Sequence, residues 1–445
     1  MSELFDGIIA AGAVRSEVSD AAWLRAMLDV ESALAAAQAD AGLVERAHAE
    51  EIARACRDGY YDLAELGAQA IGVGNPAAPL VREITAKVAG TAARYVHFGA
   101  TSQDVVDTAA VLVVARALEP LLEDLDACAE LAAGLAGEHA LTVQVGRTLA
   151  QQAIPVTFGL TAAGWLSGLD AAAHRLRGQR LAVQLGGATG TLASLGERGP
   201  AVLAAFANRL GLAEPDLPWH TERTRIAEIA GALAETSGVV AGIAHTLTLL
   251  AQTEIAEVSE QGPPGSGGSS TMPHKRNPIA SVVAQACARQ APGLAGTLFG
   301  AMAHEYQRAA GAWHAEWRPL AELLRSTGSA VHWLRTAVER LRVDPARMRE
   351  NLDRSGGILL AERVTSALTP ETGRLAAHDA VTACCRRALA GEGTLAELLA
   401  ADPLAGKHLS HEQIEELLDP AGYLGSAEFF VRRALDSHRA FKETR

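Results

Sequence analysis

Apolar residues along this chain recur at three- and four-residue spacing far more often than they alternate. Between Ala21 and Ala41 they stand at Trp23, Leu24, Met27, Leu28, Val30 and Leu34, the stripe of an amphipathic helix. A second helix is expected over 46–57, and the run Gly72-Val73-Gly74-Asn75-Pro76 ends one weak helix and starts another. From 105 onward the periodic stretches lengthen, predicting helices near 105–138, 153–183, 225–259, 279–310 and 316–342. The third is the most regular: Ile226, Ile229, Leu233, Val240, Ile243, Leu247, Leu250 and Val258 nearly keep a 3-4 repeat, with Thr236 and Glu254 in its polar gaps. Such a repeat describes a helix bundled against others along its length, and helices this long point to a bundle shared between subunits. Past 350 the periodic segments shorten, broken by Pro370, Gly391, Gly393, Pro403, Gly406 and Pro420. The expected division is an N-terminal helical domain (1–105), a central long-helix bundle (106–348) and a C-terminal helical domain (349–445).

Composition agrees with an all-α fold. Hydrophobic residues make up 49% of the chain and aromatics only 4%, so Ala, Leu and Val must fill the interior. Ala and Leu favour helix, whereas strands favour aromatic and β-branched residues. A net charge of −13 speaks against a nucleic-acid-binding protein and requires a locally basic pocket for any anionic substrate. The five cysteines (Cys56, Cys128, Cys287, Cys384, Cys385) lack metal-type CxxC spacing and fit a reducing compartment. The start Met1-Ser2-Glu3-Leu4-Phe5-Asp6 is acidic and carries no apolar core, and His245 and Glu254 interrupt the most apolar stretch, 238–255. A soluble cytoplasmic protein is the expectation, with no membrane or nucleic-acid partner.

The candidate chemistry lies in four polar stretches set against this apolar background. The richest is Gly265-Ser266-Gly267-Gly268-Ser269-Ser270-Thr271-Met272-Pro273-His274-Lys275-Arg276-Asn277-Pro278. Its glycines let backbone N–H groups turn toward a ligand, Ser269 and Ser270 offer hydroxyls, and Asn277-Pro278 suits a helix start. Together with Lys275, one of only four lysines beside 35 arginines, these read as an anion site with a proton-transfer group. Thr101 and Ser102 supply donors within 97–104, and Arg147 and Gln151 within 145–152. His220, Arg223 and Arg225 precede the longest helix, where cations oppose the helix dipole and need another reason to be present. The glycine-rich 185–191 has neither GxGxxG nor Walker spacing; it is either a helix–helix turn or a second backbone wall of the ligand site. The segment His408-Leu409-Ser410-His411-Glu412 does not match a zinc motif, and no serine-hydrolase elbow is present.

The stretch 268–278, with Gly99-Ala100-Thr101-Ser102-Gln103-Asp104 and Gly146-Arg147-Thr148 in the expected order before it, resembles the signature of the fumarase/aspartase superfamily. The likeness covers essentially the whole chain and is strongest to the branch that closes a carboxylated muconate into a lactone. It implies that Ser269 is the catalytic acid/base on carbon. It further implies that Lys275, the second expected catalytic residue, and Asn277 bind the reacting carboxylate, with Thr101 and Ser102 holding another. Arg147, Gln151, His220, Arg223, Arg225, Ser270 and Met272 complete the expected substrate-binding set. A homotetramer with active sites shared between chains, and no cofactor or metal, would follow. One departure stands out: where fumarases and adenylosuccinate lyases place a histidine two residues after the arginine, this chain has Leu149. A carboxylate leaves as a stable anion, with an acid pKa near ~4, and needs no general acid. Leu149 therefore fits a lactone-forming cycloisomerase better than a hydratase. A lyase releasing fumarate from a substituted succinate (nitrosuccinate, adenylosuccinate or argininosuccinate type) is the alternative.

Overall fold

The computed structural model describes residues 3–263, 265–268 and 271–443. The chain is all-α, with four short strands among the helices of the described residues. It divides into two compact units, both discontinuous in sequence. One comprises Met1–Leu125, Ala172–Ala241 and Val283–Trp333; the other comprises Asp126–Ala171, Gly242–Val282 and Leu334–Arg445. Five helices contribute residues to both: Ser102–Glu138, Phe158–Arg177, Thr224–Leu250, Ile279–Ala288 and Ala312–Glu339. The sequence boundaries at 105 and 348 fall within helices Ser102–Glu138 and Pro345–Asp353.

In the first unit, helix Asp20–Asp40 starts on Ser19, whose hydroxyl accepts from the Ala22 N–H, and it buries Leu24, Met27, Leu28, Val30 and Leu34. Helix Arg46–Asp58 packs against it through Ala49, Ile52 and Cys56. Burial pushes the Cys56 thiol up to about 12, so it behaves as a core residue. The long helices supply Val105, Val113, Val114, Leu121, Ile226, Ile229, Leu233, Leu323 and Leu324 to the interior. There Ser237 and Thr327 satisfy each other at 3.0 Å, and the polar-gap residue Thr236 turns its hydroxyl onto the Ala232 carbonyl.

In the second unit, Phe158 meets His139 and Trp165 edge-on. Helices Ala361–Thr372 and Arg374–Leu389 pack around Val364, Leu368, Val381, Leu395, Leu398 and Ile414. Thr394 and Ser410 open their helices with complete capping boxes. His438, on the last helix Ala427–Glu443, is held 2.9 Å from Asp170.

Three predicted helices differ from the observed ones, each for a local reason. Residues 143–157 form an antiparallel hairpin, Val143–Thr148 with Gln151–Thr157, so the following helix begins at Phe158 rather than 153. The run Ile154-Pro155-Val156-Thr157 is β-branched around a proline without a donor, which suits a strand and not a helix. The helix expected over 279–310 is two, Ile279–Ala288 and Ala291–Gly300, because Pro292 in the first turn of the second cannot continue the first. The heptad helix ends at Leu250. Beyond it Ala256 takes a φ of 51°, and Val258–Glu260 pairs as a strand with Leu341–Val343. Glu254 therefore lies past the helix end. Thr224–Leu250 is long and apolar enough to cross a membrane, yet half of its most apolar window is buried in the fold.

Candidate active site

The expected site residues fall into two groups, one in each unit. In the first unit they surround Asp104, a carboxylate 1% exposed. It accepts the backbone N–H of Thr101 at 3.0 Å, those of Gly186 and Gly187 at 2.9 Å each, and His220 Nε2 at 2.7 Å. One buried acid thus ties the 97–104 loop, the glycine loop and the segment before helix Thr224–Leu250 together. The glycine loop can come this close only because Gly186 lacks a side chain: a Cβ there would lie 2.8 Å from His220 Cε1. Two of the N–H groups of 185–191 face the chain's own aspartate. His220 is likewise a buried partner of Asp104.

Arg223, expected at the substrate, is 2% exposed. All five of its N–H donors are engaged: Nε with Glu316 at 3.0 Å, Nη2 with Glu316 at 2.5 Å and Asp107 at 3.1 Å, and Nη1 with Asp107 at 2.8 Å and the Trp219 carbonyl at 3.3 Å. Burial opposes its charge, but Asp107 and Glu316 outweigh that and hold the proton more firmly than in a free guanidinium. Its donors are thus all taken up by groups of its own unit. Asp107 also accepts Trp313 Nε1 at 2.9 Å, which explains the Trp-rich helix start there. Arg225 donates to the Arg180 carbonyl at 3.4 Å. Thr101 and Ser102 remain partly open at the start of helix Ser102–Glu138, and Arg308 donates to the Thr101 hydroxyl. No sequence signal marked Arg308, because it lies in an irregular stretch 207 residues from its partner.

Just before this loop, His97 Nδ1 lies 2.6 Å from Glu31 Oε1. Burial lowers the imidazole's proton affinity, but the Glu31 charge and hydrogen bond more than offset it, and the net shift is upward. A raised folded value means that the pair's stabilisation is complete below the unfolded value of about 6.5 and is lost as pH rises through the folded one. The gap in Tm between the native chain and His97→Gln is therefore expected to be widest in mildly acidic buffer and to close in alkaline buffer, as read by thermal denaturation across pH.

In the second unit, Arg147 forks onto Glu257 at 2.6 and 3.1 Å. Glu257 is fully buried and also accepts Gln144 at 2.8 Å and Asn351 at 2.9 Å. Arg147, expected at the substrate, thus anchors its own hairpin. Gln151 is exposed across the turn from Thr148. The two turn residues, Leu149 and Ala150, have φ of 51° and 63°, and Leu149 is 99% exposed. A leucine held in the left-handed region at a projecting tip is strained, and none of the described residues covers it.

The neck of the serine loop is closed by Asn277, whose backbone N–H and side-chain Nδ2 both donate to the Gly267 carbonyl, at 2.8 and 3.0 Å. Gly267 has a φ of 68°, and a Cβ there would lie 2.5 Å from the Asn277 carbonyl oxygen. Lys275 is exposed and Met272 is 42% exposed. Ser269 and Ser270 lie outside the described residues. The helix begins at Ile279, after Pro278, and its first donors are already capped: Glu260 accepts from Ala280 N at 3.0 Å, Ser281 N at 2.9 Å and Ser281 Oγ at 2.5 Å. The expected anion site at this helix N-terminus is thus filled by the chain's own carboxylate. Among the described residues no group of three or more His, Cys, Asp or Glu side chains is placed to hold a metal ion.

A family profile described as lyase matches residues 9–293, and one described as adenylosuccinate lyase C-terminus matches 357–434. The chain is 45% identical to a 3-carboxy-cis,cis-muconate cycloisomerase of Pseudomonas aeruginosa over 99% of this chain and 97% of that one. It is 43% identical to a nitrosuccinate lyase of Streptomyces davaonensis over 98% and 94%. The crystal structure of the 3-carboxy-cis,cis-muconate lactonizing enzyme from Pseudomonas putida superposes with a TM-score of 0.95 at 42% identity, covering 99% of this chain and 100% of that one. With a profile matched across most of its length and full-length relatives at this identity, the chain belongs to the fumarase/aspartase superfamily of lyases.

Proposed function

We propose that the chain is a 3-carboxy-cis,cis-muconate cycloisomerase, an intramolecular lyase that forms the γ-carboxymuconolactone in protocatechuate breakdown. The observation carrying this reading is near-full-length identity of 44% and 45% to two cycloisomerases of that name. The hairpin tip supports it: Leu149 offers no proton where an amine or hydroxide leaving group would call for one. A carboxylate oxygen of the substrate trianion bonds to a carbon of its own diene, and the displaced electron pair moves onto the conjugated carboxylate. Ser269 Oγ–H then delivers a proton to the adjacent carbon, giving the lactone dicarboxylate. Lys275 and loop N–H groups stabilise the intermediate, each good donor contributing ~3–4 kcal/mol. Because nucleophile and acceptor are one molecule, orientation supplies much of the remainder. Thr101 and Ser102 take a second carboxylate.

Neither unit alone carries the complete set of these residues, and Leu249, Ile279, Val282 and Phe299 are exposed on the long helices and their junctions. The exposed apolar residues support a homotetramer, placed in the cytoplasm by this reading, in which neighbouring copies complete each site and cover the Leu149 tip. The nitrosuccinate lyase relative favours a second reading, release of fumarate and a stable anion from a substituted succinate. Incubation with 3-carboxy-cis,cis-muconate and, separately, with nitrosuccinate, followed by ultraviolet absorbance and product analysis, decides between them. Lactone formation with no fumarate from nitrosuccinate is the expected result.

A further inference from the structure

We propose that Arg308 is a further substrate-binding and specificity-determining residue: it supplies the positive charge that holds a substrate carboxylate at Thr101 and Ser102. The proposal rests on the reaction assigned above, in which those two hydroxyls take a carboxylate. Arg308 belongs to the first unit, as they do, and donates through Nη1 to the Thr101 hydroxyl. That bond occupies an acceptor position of the hydroxyl and leaves its own hydrogen for a ligand. The Ser102 hydroxyl has no partner among the described residues.

Charge sets this arginine apart. Arg147 has Glu257 as its counter-ion, and Arg223 has Asp107 and Glu316. Arg308 is half-buried, yet among the described residues it pairs with no carboxylate and meets only one neutral oxygen. A guanidinium drawn partly out of water without an anion is costly, and its remaining donors suit a planar acceptor such as a carboxylate. Asp104 does not fill that place: it accepts the Thr101 N–H, and Gly186, Gly187 and His220 take up the rest of it. Nor does the stretch that carries Arg308 need it as an anchor. The fully buried His304 side chain lies 3.3 Å from the His220 carbonyl and 3.3 Å from Glu316, and Glu305 accepts the Ala310 N–H at 2.9 Å, closing the stretch on itself. Between these ties Tyr306 is held at a φ of 55°, strain of the kind that persists where a segment places a functional side chain.

The test is Arg308→Met in the full chain, which keeps much of the side chain's length and removes its charge. With 3-carboxy-cis,cis-muconate, KM should rise about 10–100-fold while kcat and Tm stay near their native values. Arg308→Lys should recover part of the affinity. Propane-1,2,3-tricarboxylate and glutarate, which differ by one carboxylate, read the same seat by calorimetry without turnover. The native chain should bind the tricarboxylate about tenfold more tightly, and Arg308→Met should remove that advantage. If no lactone forms but the advantage is lost on substitution, the reaction assigned above fails and the carboxylate seat stands. Equal binding of the two acids by the native chain would overturn the proposal. So would a native KM in Arg308→Met, and a fall in Tm beside it would mark the arginine as structural. Should Arg308→Met not fold, Arg308→Gln carries the same readouts.

Discussion

Alanine at position 269 is expected to lower kcat by about 10²–10⁴-fold while KM changes little. The hydroxyl is assigned the proton that quenches the carbanionic intermediate, so its loss acts on the transition state, whereas the substrate's carboxylates are held by other groups. The variant should fold normally. The loop's neck is closed by Asn277 and Gly267, and the helix beyond it is capped by Glu260; neither interaction uses a side chain at 269. Calorimetric binding of substrate with turnover abolished is the expected pair of results. Native-like kcat in Ser269→Ala would remove the proton donor from the mechanism and leave the loop as a mere lid.

The periodic part of the fold was readable from residues alone. Ile226, Ile229, Leu233, Val240, Ile243, Leu247 and Leu250 are all buried, as their spacing required. What escaped was set by partners distant in sequence. The hairpin at 143–157 turns on Leu149-Ala150, not on the Asn-Gly or Asp-Gly pair that announces a two-residue turn, so no local rule marked it. Asn277-Pro278 reads locally as an open helix N-terminus, and only folding brings Glu260 onto it. The linear motif also carried no sign of the carboxylates that its arginines meet in the fold. Arg147 and Arg223 read as ligands for an anionic substrate because their own carboxylates lie 110 residues away, at Glu257, and 116 and 93 residues away, at Asp107 and Glu316. Charge balance in a site of this kind is decided in three dimensions, and a linear count of cations overstates what remains free for the ligand.

Arg223 therefore yields the largest expected effect on stability. Arg223→Met should destabilise the first unit by about 3–5 kcal/mol, because two buried carboxylates would lose their only fixed cation among the described residues. Thermal unfolding and soluble yield would register that loss, and kcat/KM should fall with the folded fraction while KM stays near its native value. Arg223→Lys should recover only part of the stability, since one ammonium cannot fork to Asp107 and Glu316 together. Combining Arg223→Met with Asp107→Asn and Glu316→Gln should be less damaging than the single change, because the surviving groups would no longer be charged and unpaired. A substrate-binding arginine would behave in the opposite way: KM would rise steeply, Tm would hold, and neutralising the two acids would rescue nothing. The direction of that split decides whether the cation before helix Thr224–Leu250 faces the ligand or, as its five engaged donors indicate, builds the wall behind it.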